Sequence, residues 1–335
     1  EGSGESRIQQ IHGGILAVSL SCCVLEDTPS AFSWVMRRSL TDAMMKRLCT
    51  HQAPLIRSVS AIALGVLGTV RIPPMTASDI VQDHAAQIQE VVTCLLRLLN
   101  DPVMKVVQAA SQGLTLLSLR LRDNVAVYQQ LLDGFFATRK LKSEDVIFSI
   151  GECLALLIGG TEFCEVPEDF RNLLLFVKDF TLIGPLEEGQ IGAILNEIMG
   201  KHCREASAAS RQAGAAWLMT IMMRCERLPA CISRHGQFQV IFANLLTDTD
   251  DLVQDIASSC IGWIFDRAPA ENRSALVSAL VGTFLTGKKT SGTLERDEEE
   301  EIVPGGFGVT PNGDKLTTYK EICSLCNDIG QPELV

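Results

Sequence analysis

Aromatic residues are scarce in this chain. Of its 335 residues only 5% are Phe, Trp or Tyr, whereas 47% are hydrophobic. The apolar content is therefore mostly Leu, Ile, Val and Ala, while a sandwich of β-sheets would favour aromatic and β-branched residues at every second position. The composition disfavours such a sandwich and predicts a large core of stacked helices.

Positive charge is also in short supply. Lys and Arg number 29 against 40 Asp and Glu, which gives a net charge of −11. A nucleic-acid partner is not expected, because phosphate binding needs a concentrated basic surface. Residues 295–301 hold six of the acids and one Arg.

The chain has no recognisable leader and no membrane-spanning run. Nothing at its start has the features of a signal peptide, and no uninterrupted apolar run approaches the roughly 20 residues that cross a bilayer. The 12 cysteines are scattered through apolar stretches, as free thiols in a reducing compartment are. These features predict a soluble intracellular protein. The start at Glu1 and the end inside a helical unit predict a segment of a longer one.

One stretch, 245–265, shows the pattern that the chain repeats. Its acidic turn holds Asp248, Asp250 and Asp251, which we interpret as turn and cap residues because the helix dipole favours acids in a first turn. The apolar residues that follow recur at helical spacing and predict one buried stripe. They are Val253, Ile256, Ala257, Cys260, Ile261 and Ile264.

Similar helix pairs are predicted along the chain. Besides the helix after Pro102, apolar periodicity predicts helices at 7–25, 31–49, 54–70, 79–99, 124–137, 144–158, 167–180, 187–199, 207–223, 229–246, 250–267 and 270–285. The second helices share a motif, an apolar or small residue often followed by Arg, then a small residue, then Leu or Ile. Its copies begin at Ile56, Val106, Val146, Ser210 and Val253. Two of the intervals, 40 and 43 residues, match HEAT repeats of roughly 40–47 residues.

The repeats predict an all-α fold, a HEAT-like α-solenoid of roughly six antiparallel helix pairs. Residues 1–286 form the array, 287–317 one long acidic and Gly-rich loop or hairpin, and 318–335 the start of the next repeat. The interval between Ile147 and Arg211 must contain an extra helix or insertion. An irregular helical bundle is the competing interpretation.

No catalytic or metal-binding constellation emerges from the motifs. Cys323 and Cys326 form a C-x-x-C, but a structural zinc site needs four ligands and no second pair lies nearby. His202 and Cys203 are adjacent, and we interpret them as an exposed loop pair rather than a nucleophile with its base. The sequence therefore predicts no catalytic residue, metal ligand or cofactor.

The acidic and Gly-rich loop is the candidate contact surface, because acidic runs often serve as interaction tails. The residues predicted to contact a partner are Glu298, Glu299, Glu300, Glu301, Phe307 and Lys315. A modest basic cluster is predicted to be solvated instead. It consists of Arg37, Arg38, Lys46 and Arg47.

The C-terminal end carries a family resemblance. From Gly305 the chain reads GGFGVTPNGDKLTTYKEICSLCNDIGQPELV. This resembles the large HEAT-repeat adaptor and scaffold family of the proteasome, in which a GG-x-G-x-TP-x-G segment leads into STYKELC-S-L and then QP-x-L. Cys326 departs from the small apolar residue of the family. The matching residues are Gly305, Gly306, Gly308, Thr310, Pro311, Gly313, Thr318, Tyr319, Lys320, Glu321, Cys323, Leu325, Gln331, Pro332 and Leu334.

The resemblance implies a non-enzymatic scaffold in the cytoplasm and nucleus. Such a protein would bind the 26S proteasome, tether its core particle to its regulatory particle, and modulate or quality-control it. Its partners would be subunits of both particles, reached through the full-length parent. Nucleic acid, membrane insertion and a small-molecule substrate are not expected. The alternative is another HEAT-repeat carrier or scaffold, of the nuclear transport receptor or phosphatase scaffold type.

Overall fold

The chain forms two compact units whose regular elements are helices wherever the structure describes them. Unit 1 contains Glu1–Asn196 and Ala216–Cys231, and unit 2 contains Glu197–Ala215 and Ile232–Val335. The computed structural model describes residues 2–24, 38–68, 78–120, 125–141, 143–174, 183–267, 273–274 and 277–278.

Thirteen α-helices are described in full or in part. In chain order they are α1 Gly2–Val24, α2 38–43, α3 Pro54–Gly68, α4 Ser78–Leu98, α5 Met104–Arg120, α6 Val125–Ala137, α7 Glu144–Phe163, α8 Glu168–Leu174, α9 Glu188–Gly200, α10 Ala208–Arg224, α11 Pro229–Ile232, α12 His235–Leu245 and α13 Asp251–Arg267. A π-helical turn, Met44–Leu48, continues α2, and a 3-10 turn, His202–Arg204, precedes α10. Pro54 begins α3, where its missing N–H is not needed.

Unit 1 stacks its helices as paired repeats do. The second helices α3, α5 and α7 pack against one another in succession, and α1 packs on α3. The first helices α4 and α6 contact each other, and α4 also contacts α3 and α5. Each apolar stripe is therefore covered by neighbouring pairs, as in a solenoid. This confirms the predicted HEAT-like arrangement.

The predicted inward faces are buried. All six predicted positions of α3 and all six of α13 are buried, and so are five of the six predicted around α5. Val103, the exception, lies before the start of α5 and is half-buried. Helical periodicity in the sequence therefore located the core faces correctly.

The helices α3 and α5 touch backbone to backbone at Gly65 and Gly113. A Cβ at Gly65 would lie 2.4 Å from Gly113 Cα, and a Cβ at Gly113 would lie 2.6 Å from the carbonyl oxygen of Ala61. The backbone cannot rotate away as a side chain can. These two glycines therefore set the spacing between successive repeats.

The end of α7 differs from its predicted end at residue 158. The helix continues to Phe163, with a break at Gly160, where φ is +61°. This conformation favours glycine, and it lets the Thr161 and Glu162 N–H groups donate to the carbonyl oxygen of Ile183 at 2.9 and 3.2 Å. The short helix α8 follows, so the long interval between motif copies does contain an extra helix.

The prediction of one helix at 229–246 is wrong. The structure has two helices there, α11 and α12, and the break coincides with the boundary between the units. Arg234 has φ −105° and ψ 5°, outside the helical region, and this interrupts the helical hydrogen-bond ladder. Within unit 2, α12 and α13 pack as the predicted helix pair.

One described helix, α7, is long and apolar enough to cross a bilayer by length and composition alone. Most of the apolar part of this helix is buried inside the protein. Its Leu154 and Leu157 have no exposed surface. It has the burial of a core helix.

We predict that Gly113→Ala destabilises unit 1. The added methyl group would clash with the backbone of α3, and such overpacking costs about 1–3 kcal/mol. Gly13→Ala in α1 is the control, because no atom lies within 4 Å of its added Cβ, and it should stabilise by up to about 1 kcal/mol. Urea unfolding followed by the fluorescence of Trp217, buried in unit 1, measures both. Equal stability of the two variants would contradict the close contact.

Candidate binding surface

The residues predicted to contact a partner lie outside the described residues. They are Glu298, Glu299, Glu300, Glu301, Phe307 and Lys315, and the motif residues from Gly305 onward lie outside as well. The predicted loop at 287–317 therefore stays a prediction. Within the described repeats, the polar features that matter are the junctions between repeats and the outer side chains.

A bidentate ion pair joins the start of α3 to the turn before α5. Arg57 donates from Nε to Asp101 Oδ2 at 2.7 Å and from Nη2 to Asp101 Oδ1 at 2.9 Å. Its Nη1 donates to the carbonyl oxygens of His51 and Gln52 at 2.8 and 3.0 Å. One guanidinium therefore closes the turn of its own repeat and binds the turn of the next.

Unit 2 contains a second copy of this arrangement. Arg211 donates from Nε and Nη2 to the two carboxylate oxygens of Asp248 at 2.5 and 2.9 Å. Its Nη1 donates to the carbonyl oxygens of Glu205 and Ala206 at 2.9 and 2.7 Å. The same five hydrogen-bonding groups thus recur at two repeat junctions of different units.

The acid in each turn also caps its own backbone. Asp101 Oδ1 accepts the Val103 N–H at 2.9 Å, and Asp248 Oδ1 accepts the Asp250 N–H at 3.0 Å. Asp250 Oδ1 in turn accepts the N–H of Val253 at 3.1 Å, near the start of α13. The predicted turn-and-cap role of these acids is confirmed, although their pairing with arginines was not predicted.

A third junction position carries Gln254 in place of arginine. Its Nε2 donates to the carbonyl oxygen of Asp248, six residues earlier, just as Arg57 and Arg211 reach back six residues. The sequence contained a signal for the ion pairs. Asp101 and Asp248 each lie six residues before the next copy of the motif position that holds Arg or Gln.

The ion pair changes the acid–base behaviour of its members. Burial alone would raise the pKa of Asp101, but the hydrogen bonds from Arg57 and the Val103 N–H outweigh it, and the pKa lies below its usual 3.8. The hydrogen bond to Asp101 raises the pKa of Arg57, and the bond to Asp248 does the same for Arg211. The Arg57–Asp101 pair is therefore ionised at neutral pH.

The prediction that His202 and Cys203 form an exposed loop pair is wrong. His202 has no exposed surface and Cys203 is 3% exposed. Their 3-10 turn lies directly on α10 at Gly214, where a Cβ would be 2.8 Å from the Cys203 nitrogen. Burial raises the pKa of the Cys203 thiol to about 12, so it is a poor nucleophile.

Several other described thiols are core residues, as predicted. Burial raises the pKa of Cys153 to about 12 and also raises that of Cys260. Among the residues that the structure describes, no group of three or more His, Cys, Asp or Glu side chains could hold a metal ion. Arg38, Lys46 and Arg47 of the predicted basic cluster are exposed.

One surface of unit 2 combines an aromatic ring, a cation and an exposed aliphatic side chain. The Arg267 guanidinium lies 4.1 Å from the Trp263 ring centroid, and His235 meets the same ring edge-on at 6.0 Å. Ile232, 50% exposed, precedes His235 by about one helical turn. Burial lowers the pKa of His235, so Arg267 is the charged member at neutral pH. We call these four residues the Trp263 patch; Trp and Arg are enriched where proteins bind one another.

Curated relatives of this chain share one name. It is 30% identical over 207 residues to the human "Proteasome adapter and scaffold protein ECM29", a match of 61% of this chain and 11% of that protein. It is 34% identical over 235 residues to the Drosophila melanogaster "Proteasome-associated protein ECM29 homolog", covering 62% and 12%. No protein-family model matches. The chain spans only about an eighth of the length of these relatives.

Among solved structures, the chain is similar to an archaeal HEAT-like repeats protein from Thermococcus onnurineus NA1. The sequence identity is 10% and the TM-score 0.35, over 93% of this chain and 98% of that one. The assignment of this chain's fold comes from its own helix pairs and junctions.

Paired helices, stacked stripes and recurring turn-closing side chains define a HEAT-like helical repeat protein. Within this class the chain belongs to the ECM29 family, whose human member is called a proteasome adapter and scaffold protein. The family resemblance read from the C-terminal sequence is confirmed.

We predict that Arg57→Ala destabilises unit 1 by about 3 kcal/mol, because it leaves the buried carboxylate of Asp101 without its partner. Lys201→Ala is the control, since Lys201 and Glu197 form an exposed pair that should contribute less than about 1 kcal/mol. Urea unfolding at pH 7 measures both. The double variant Arg57→Ala with Asp101→Ala should lose less than the sum of the single losses. Additive losses would show that the pair does not couple the repeats.

The same pair predicts how stability depends on pH. The pKa of Asp101 is lower in the folded chain than its usual 3.8, so its contribution is fully present above that value and is lost as the pH falls through the folded pKa. The difference in unfolding free energy between the natural chain and Asp101→Asn should therefore shrink between about pH 6 and pH 3. A difference that stays constant over this range would contradict the ionised pair.

Proposed function

We propose that this chain is part of a non-enzymatic scaffold that binds the 26S proteasome, tethers its core particle to its regulatory particle, and modulates or quality-controls it. The observation that carries the proposal is the similarity to the ECM29 proteins, one of which is named a proteasome adapter and scaffold protein. We propose that it acts in the cytoplasm and nucleus, as the family resemblance implies.

A repeat array suits this role for a physical reason. Stacked helix pairs present many outer side chains on one continuous framework, so binding comes from complementarity along a surface rather than from one cavity. The described thiols Cys153, Cys203 and Cys260 have raised pKa values and are protonated at neutral pH, which supports a role without nucleophilic catalysis by these residues.

Two surfaces are proposed to contact the proteasome. The first is the acidic loop with Glu298, Glu299, Glu300, Glu301, Phe307 and Lys315. The second is the Trp263 patch, because its ring and guanidinium are already in contact and little side-chain freedom would be lost on binding. Another HEAT-repeat carrier or scaffold, such as a nuclear transport receptor, is not favoured, because the relatives are named for the proteasome.

We predict that the tagged chain recovers subunits of both proteasome particles from purified 26S proteasome, and that two changes weaken recovery. These are Trp263→Ala with Arg267→Ala in the patch, and replacement of the four loop glutamates by glutamine. Each should reduce recovery several-fold, as the loss of central contact residues does. Quantitative mass spectrometry of the bound subunits provides the measurement.

Leu55→Ser is the matched control, because Leu55 is an exposed aliphatic side chain of unit 1, at 43%, outside both proposed surfaces. It should leave recovery unchanged. If the natural chain recovers no proteasome subunit, the proposed contact by this chain is wrong. If the chain binds but neither change weakens binding, the proposed surfaces are wrong.

A further inference from the structure

Two cysteines from neighbouring repeats meet at the edge of the unit 1 core. Cys49 directly follows the π-helical turn Met44–Leu48, and Cys94 lies on α4 in the next repeat. The two thiols hydrogen-bond to each other. Both are free cysteines.

The register of the two first helices explains this meeting. Gln87 on α4 donates from Nε2 to the carbonyl oxygen of Arg38 and to Asp42 Oδ1, both at 3.2 Å. Cys94 lies seven residues after Gln87, and Cys49 seven residues after Asp42, which is about two helical turns in each case. The side-by-side packing fixed by Gln87 therefore brings the two thiols together, so their contact is built into the repeat stacking.

An exposed arginine lies beside one of the two sulfurs. Arg97, one turn further along α4, places Nη2 3.6 Å from Cys94 Sγ. Cys94 retains 8% of its surface, whereas Cys49 behind it retains 2%. A small reagent from solvent would therefore reach Cys94 first, next to a positive charge.

These contacts give the two thiols different acidities. The hydrogen bond from Cys49, assisted by the Arg97 guanidinium, lowers the pKa of Cys94 to about 7 against the effect of burial. The same hydrogen bond, together with burial, raises the pKa of Cys49. Arg97 is the charged group that acts on both. At neutral pH one thiol is therefore substantially ionised and the other protonated.

We propose that Cys94 and Cys49 form a site of oxidation by hydroperoxides, with Cys94 as the attacking thiolate, Cys49 as the resolving thiol and Arg97 as a positioning residue. This goes beyond the proposed scaffold function and does not depend on it. The product is a disulfide between the first helices of two successive repeats.

The reaction has two balanced steps. The Cys94 thiolate attacks one oxygen of hydrogen peroxide, the O–O bond breaks, Cys94 becomes a sulfenic acid, and hydroxide leaves and takes a proton from solvent. Cys49 Sγ then attacks the Cys94 sulfur, the S–S bond forms, and the sulfenic hydroxyl leaves with the Cys49 proton as water. The dithiol loses two electrons and the peroxide gains them.

The chain contains an internal control for this chemistry. Cys164 and Cys225 of unit 1 also hydrogen-bond to each other, but no cation acts on Cys225 and its pKa is raised well above the usual value. Cys225 has no exposed surface. A pair of thiols that differs in its charge and access should not react in the folded chain.

The test treats the full, reduced chain with limiting hydrogen peroxide at pH 7, blocks the remaining thiols, and identifies linked peptides by mass spectrometry. We expect a Cys49–Cys94 link that forms about tenfold or more faster than any Cys164–Cys225 link. Cys49→Ser should instead accumulate a Cys94 sulfenic acid that dimedone traps, and Cys94→Ser should give neither product. Equal rates for the two pairs, or a Cys94 that stays reduced, would overturn the proposal.

Arg97→Gln tests the positioning residue separately. The pH profile of Cys94 alkylation by iodoacetamide should have its midpoint near 7 in the natural chain and shift upward in the variant. Peroxide oxidation of Cys94 at pH 7 should slow several-fold, while circular dichroism shows unchanged helix content. An unchanged midpoint and rate would remove Arg97 from the proposed site.

Discussion

Successive repeats of unit 1 are held at one distance by the backbone contact between Gly65 of α3 and Gly113 of α5. A side chain at either position would separate the helices, and the apolar stripes that they share would lose van der Waals contact. The Arg57–Asp101 pair fixes the same two repeats at their polar end. One contact sets the spacing and the other the register, so the outer surface is an extension of both.

The sequence was sufficient for features that depend on local periodicity. The stripe from Val253 to Ile264 is buried as predicted, because each helix must turn its apolar face to its neighbours. Features that depend on contacts distant in sequence were missed. The pairing of Arg57 with Asp101 joins residues 44 apart, and the burial of His202 depends on Gly214, which no pattern near His202 reveals. The break at Arg234 lies at the boundary between the two units.

The turn chemistry and the proposed adaptor role are connected through rigidity. Arginine or glutamine closes the turns at positions 57, 211 and 254, and the two arginines also bind the turn that follows. A surface held in this way loses little conformational freedom when a large partner binds. The family assignment names the partner of the relatives, and the ordered outer side chains, above all Trp263 with Arg267, supply the physical means.

The central claim is that preformed, stacked repeats carry the partner-binding surface. A cryo-electron microscopy map of the chain bound to the 26S proteasome, at side-chain resolution, tests it most directly. The account predicts that Gly65 and Gly113 remain in backbone contact, that Arg57 remains paired with Asp101, and that outer side chains make the contacts. Repeats that separate on binding, or contacts made by residues now buried between α3 and α5, would contradict it.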